Sequence, residues 1–68
     1  MDPYEGTARI EGAAQHLEVN QFTFRTAWKR EQVPHEYIGG QLRFRFTSLD
    51  AWRKAHPTAM RPKQREAA

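Results

Sequence analysis

The sequence predicts a small α+β domain in which two short helices, a two-stranded antiparallel hairpin and a third helix share one core. Three observations lead there. Ile10, Ala13, Ala14 and Leu17, then Phe24, Ala27 and Trp28, recur at helical spacing. Gly39-Gly40 sits inside the stretch His35–Phe46, where apolar and basic residues alternate after the glycines. Leu49 and Trp52, three apart behind Thr47-Ser48, start the helical pattern again.

The chain has 68 residues, which is enough for one domain. Chains of this size bury only ~60% of the surface their unfolded form exposes, so the core has to be efficient. There is no cysteine, hence no disulfide and no thiolate metal site. No apolar run approaches a membrane span, and Met1-Asp2-Pro3 does not open a signal peptide. The expected setting is cytoplasmic, in a bacterium or phage-encoded, with no membrane association.

Taken in order, residues 1–8 are polar, contain Pro3 and Gly6, and read as a flexible lead-in to a domain spanning 9–56. The first helix starts near Ile10; Gly12 inside it costs roughly 1 kcal/mol relative to Ala. Its nearest capping residue, Thr7, lies slightly too early. Asn20 is a good N-cap for a second helix from Gln21 to about Gln32, and Pro34 ends it by pushing Val33 to an extended conformation. Two hairpin registers are open. A two-residue Gly-Gly loop pairs Tyr37 with Leu42 and Glu36 with Arg43, whereas a three-residue loop sets Ile38 opposite Leu42. Either way Leu42, Phe44 and Phe46 share one face and Arg43 and Arg45 the other. Thr47-Ser48-Leu49-Asp50 has the form of a capping box with Asp for Glu, and that third helix stops near Pro57. Residues 57–68, with two prolines and no apolar period, read as a disordered basic tail.

Charge is unevenly placed. Residues 1–20 hold Asp2, Glu5, Glu11 and Glu18 against Arg9 alone, whereas residues 21–54 hold seven Lys or Arg against Glu31, Glu36 and Asp50. Positive charge begins where the second helix begins, as expected if that helix and the segments after it face phosphate.

Ala14, Leu17, Val19, Phe24 and Ala27-Trp28 match a helix-turn-helix: a small residue where two helices cross, and large ones sealing the angle between them. The order Ala13-Ala14-x-x-Leu17-x-Val19-Asn20, Pro34, Gly39-Gly40-x-x-Arg43-Phe44-Arg45 and Leu49-Asp50-Ala51-Trp52 resembles the excisionase-type, MerR-like winged helix-turn-helix domains. The match runs from about Ile10 to Trp52 and is more specific in its second half. Three positions depart from the pattern: Arg9 for a capping Thr, Glu18 for the turn Gly, and Leu42 for an aromatic or basic residue. Glu18 stands where the backbone often needs positive φ.

The resemblance implies that the second helix enters the major groove of duplex DNA and that the hairpin is a wing on the backbone or the adjacent minor groove. On the helix, Gln21 suits an adenine edge, Arg25 a guanine edge, and Thr26 a base or a phosphate; Thr23 and Lys29 suit phosphates, and Arg30 completes the set. Phe22 either packs on a thymine methyl or plugs the core beside the wing. On the wing, Gly39, Gly40 and Gln41 form the tip, and Arg43 and Arg45 are expected on phosphate or in the minor groove.

Other chemistries find little footing. His16, His35 and His56 have no spacing partner for a metal; they are expected on a helix surface, at a strand edge and at a helix C-terminus. Trp28 and Trp52 lie on apolar stripes and are expected in the core rather than as a stacking platform for single strands. No Ser-His-Asp set, carboxylate pair or glycine-rich phosphate loop can be assembled, so neither catalysis nor a cofactor is expected.

MerR regulators proper carry a long dimerising helix and an effector domain after this unit, whereas about sixteen residues follow Trp52 here; no small-molecule effector is expected. One small module buries only ~600–1,000 Å² on DNA, so useful occupancy calls for neighbours on adjacent sites. Excisionases, as the resemblance implies, line up head to tail on repeated sites, bend the DNA and help an integrase choose excision. The expected function is such a recombination directionality factor of a phage or integrative element. The alternatives are a small transcription regulator of the same fold and, of a different class, a protein-interaction module.

Overall fold

Both helices of the first half are delimited by how their end groups find partners. In the computed structural model, which describes residues 2–60, α1 spans Ile10–Leu17 and α2 spans Gln21–Ala27. The Asn20 side chain accepts hydrogen bonds from the Phe22 and Thr23 amides at 2.8 and 3.1 Å, the capping role expected of it. At the end of α1, Glu18 N–H donates to Gln15 and Val19 N–H to Ala14, with Glu18 left-handed at φ 60°. The same pair of bonds recurs further on: Gln32 N–H donates to Lys29 and Val33 N–H to Trp28, with Gln32 at φ 58°. Both are Schellman closures with a non-glycine residue in the glycine position, and the valine after each is buried. Regular α-helix therefore ends at Ala27, and turns carry the chain on to Gln32, where the sequence places the helix end.

The hairpin takes the two-residue loop. β2 (Glu36–Ile38) and β3 (Gln41–Arg45) pair antiparallel with Tyr37 opposite Leu42 and Glu36 opposite Arg43. Gly39 and Gly40 both have positive φ, 56° and 82°, which the tight hairpin turn requires at both positions. One face of β3 turns inward: Phe44 is fully buried, meeting Phe24 edge-on at 5.0 Å and Trp28 at 5.3 Å between ring centroids. α3 (Phe46–Ala55) follows without a loop and buries Leu49 and Trp52.

Three expectations are corrected. Residues 1–8 are not all loose lead-in, because Thr7–Ala8 forms β1, which pairs with β3 (Thr7 opposite Arg45, Ala8 opposite Phe44) and makes the sheet three-stranded in the order β1-β3-β2. This explains Gly12: a Cβ there would lie 2.7 Å from the Ala8 Cβ, so the glycine lets α1 lie against β1. Second, α3 begins at Phe46 with Arg45 at its N-cap and no side-chain cap; Thr47 is already helical. Third, residues 57–60 fold back: Ala59 and Met60 pack on the core, and Arg53 donates to the carbonyls of His56, Ala59 and Leu17. The rest of the expected tail, 61–68, lies outside the described residues.

Trp28 and Trp52 are core residues, as expected. His56 hydrogen-bonds the Trp52 carbonyl and stacks on its ring at 4.8 Å, ending α3. His16, in the last turn of α1, ties that helix to the middle of α3 through a 2.7 Å hydrogen bond to Asp50. His35 packs between the Trp28 and Tyr37 rings. No helix among the described residues is long and apolar enough to cross a membrane.

Candidate nucleic-acid interface

The helix period places Phe24 and Ala27 inward and thereby turns most of the expected recognition set outward. Gln21, Phe22, Arg25, Thr26, Lys29 and Arg30 are exposed, and Thr23 is half-buried. Phe22 is 69% exposed, so of its two expected places the core plug is overturned. Two residues apart on a helix, Phe22 and Phe24 point nearly opposite ways, and Phe24 fills the core.

The cations on this surface differ in how far they are engaged. Lys29 lies over the Trp28 ring with its ammonium 5.7 Å from the centroid, and Arg30 stands 3.8 Å from Glu31. The Arg25 side chain makes no hydrogen bond or ion pair with another described residue. The Thr26 hydroxyl is turned back onto its own helix, with contacts to the Phe22 and Thr23 carbonyls at 3.1 and 3.2 Å.

The hairpin arginines are less free than their sequence suggests. Both lie on the sheet face opposite Phe44. Arg45 grips Glu36 with two hydrogen bonds, Nε to Oε2 at 2.7 Å and Nη2 to Oε1 at 3.0 Å. This fork lowers the Glu36 carboxyl below its ordinary range, chiefly through the hydrogen bond and less through charge, and raises the Arg45 guanidinium for the same reasons. Arg43 donates from Nε to the Thr7 hydroxyl at 3.0 Å and lies 4.5 Å from the Tyr4 ring centroid. Arg45 therefore braces β3 against β2, and Arg43 ties the hairpin to the lead-in. The tip residues Gly39, Gly40 and Gln41 are exposed.

An open cleft of about 370 Å³ joins the two halves of the expected site: Arg25 of α2 lines it together with Gly40, Gln41 and Leu42 of the hairpin. Arg9, Ile10 and Glu11 at the start of α1 complete its wall. Arg9 is the residue that sequence reasoning passed over. It holds the N-cap position of α1, where a guanidinium has no acceptor to offer the helix amides, and it lines the cleft. The signal was present in the departure itself, an arginine where a hydroxyl cap is usual. A second cleft, about 540 Å³ and mostly apolar, lies beyond the end of α2 between Trp28, Pro34, His35 and Tyr37, with Lys29 at its edge.

The arrangement presents an exposed, cation-bearing helix beside a glycine-tipped hairpin, a shape suited to a polyanion held from two directions. No family model, curated protein or solved structure matches the chain.

Proposed function

We propose that the protein is a sequence-specific duplex-DNA-binding accessory factor, with α2 in the major groove and the hairpin as a wing, acting as an excisionase. The observation that carries this reading is the shared cleft, where Arg25 of α2 and the wing turn Gly40–Gln41 face one space. Arg25 has no partner there among the described residues, as suits a group waiting for an anion or a base edge. Arg9, Lys29 and Arg30 extend the positive surface on either side. In this role several copies bind repeated sites head to tail, curve the DNA and assist an integrase.

Gel-shift titration on duplexes carrying one, two or three direct repeats tests the reading. Cooperative filling of the repeats is expected. Arg25→Gln and Lys29→Gln should each weaken binding and flatten the salt slope by up to about 0.9 for every phosphate no longer neutralised. A single noncooperative complex would point instead to a small transcription regulator. No binding to any duplex would leave the interaction-module alternative standing.

A further inference from the structure

The exposed stripe of α2 is not uniformly polar. Phe22 and Thr26 are four apart and adjacent on the helix surface. Phe22 has no core contact to retreat to, since Phe24 occupies the interior and Asn20 fixes the helix phase through the Phe22 and Thr23 amides. Thr26 is exposed and its hydroxyl is engaged by the carbonyls of Phe22 and Thr23, so the group it has to offer a partner is its methyl. A phenyl ring and a methyl thus form a small apolar patch, bordered by the exposed Gln21, Arg25 and Lys29.

We propose that Phe22 and the Thr26 methyl form a reader of thymine 5-methyl groups in the major groove, making A·T pairs part of the recognised site. The proposal rests on the DNA-binding reading above. A partner for this patch must offer apolar groups inside an anionic and hydrogen-bonding surround. The major groove does so wherever thymine occurs, and Thr methyl and Phe are side-chain groups that meet thymine by apolar contact. The neighbouring cations fit the phosphates on either side, whereas a buried protein interface would have to desolvate them. Thr26 changes role accordingly, from the hydrogen-bonding group its sequence suggests to an apolar contact.

The test begins with duplexes selected by the wild-type protein from a random-sequence pool. The selected duplex is rebuilt with deoxyuridine for thymidine, first throughout and then one position at a time, and affinities are measured by fluorescence anisotropy at fixed salt. Wild type should lose about fourfold for each contacted methyl, the equivalent of roughly 0.8 kcal/mol per buried methylene-sized group. Phe22→Ala should bind the thymine duplex more weakly and discriminate little. Thr26→Ser, which keeps the hydroxyl, should lose part of the discrimination, and Thr26→Val, which keeps a methyl, should retain it. Circular dichroism checks that these exposed substitutions leave the fold intact. Equal wild-type affinity for both duplexes overturns the proposal while leaving DNA binding in place, as does an unchanged ratio in Phe22→Ala. Changed self-association of Phe22→Ala in DNA-free sedimentation, with that ratio intact, assigns the patch to a protein contact and also overturns it. Failure of wild type to select any duplex defeats this proposal together with the proposed function.

Discussion

Replacing Glu18 by glycine should stabilise the protein, although the side chain removed is charged and the residue added is the more flexible one. Glu18 sits at φ 60° and ψ 43°, with its N–H in the closure bonds that end α1. A left-handed conformation costs an L-residue other than Gly about 1–2 kcal/mol, because Cβ crowds the following carbonyl. Glycine removes that cost but adds about 0.4–1 kcal/mol through the greater freedom of the unfolded chain. The Glu18 side chain is exposed and forms no ion pair among the described residues, so little else changes. At the middle of these ranges the net gain is about 0.8 kcal/mol, or about 3 to 6 °C in Tm for a domain of this size. Thermal unfolding followed by circular dichroism reads it directly. Glu18→Ala separates the backbone effect from loss of charge, since alanine keeps the Cβ and should gain nothing comparable. Gln32→Gly repeats the experiment at the second closure, where φ is 58°. A Glu18→Gly Tm at or below wild type, or an equal rise in Glu18→Ala, would refute the reasoning.

Two further perturbations probe how the wing is held. Gly12→Ala, ordinarily favourable in a helix by about 1 kcal/mol, should here lower Tm, since the new methyl meets the Ala8 Cβ at 2.7 Å and must push β1 away; a raised Tm would remove the reason given for this glycine. Glu36→Gln should loosen the grip on Arg45. Because the folded-state carboxyl of Glu36 is depressed, its contribution to stability is present above the ordinary carboxylate range and is lost as pH falls through the depressed value. The Tm curves of wild type and Glu36→Gln should therefore differ near neutrality and converge in acid, and a constant separation across that range would contradict the assignment. Freed from Glu36, Arg45 should also steepen the salt dependence of the proposed DNA binding by about 0.9 if it then takes up a phosphate.

How far the chain is legible depends on the range of the interactions involved. The Asn20 cap, the glycine turn, and the inward placement of Leu17, Phe24, Trp28, Leu49 and Trp52 are read from residues only a few positions apart, whereas the choice between the two- and three-residue loop is made only in the folded sheet. β1 is not legible. Two residues have no period, and their partners Phe44 and Arg45 lie far along the chain. Gly12 misleads for the same reason: it reads as a weak point in a helix, when it is the place where a strand passes. Phe22 shows the opposite limit. Its exclusion from the core depends on the phase of α2, which the cap at Asn20 sets, and sequence spacing alone leaves both destinations open.

The sequence by itself determined the order of the elements from α1 onward, their apolar faces and the concentration of positive charge from α2 onward, because periodicity, capping and turn chemistry are local. Tertiary structure decided which of those charges are available. Arg43 and Arg45 look like two free cations on a wing, yet Thr7, Tyr4 and Glu36 engage them. Arg9, which looks like an imperfect helix cap, shares a cleft with Arg25 and the wing turn. A charge's freedom depends on what the rest of the fold brings within hydrogen-bonding distance, and no spacing along the chain encodes that.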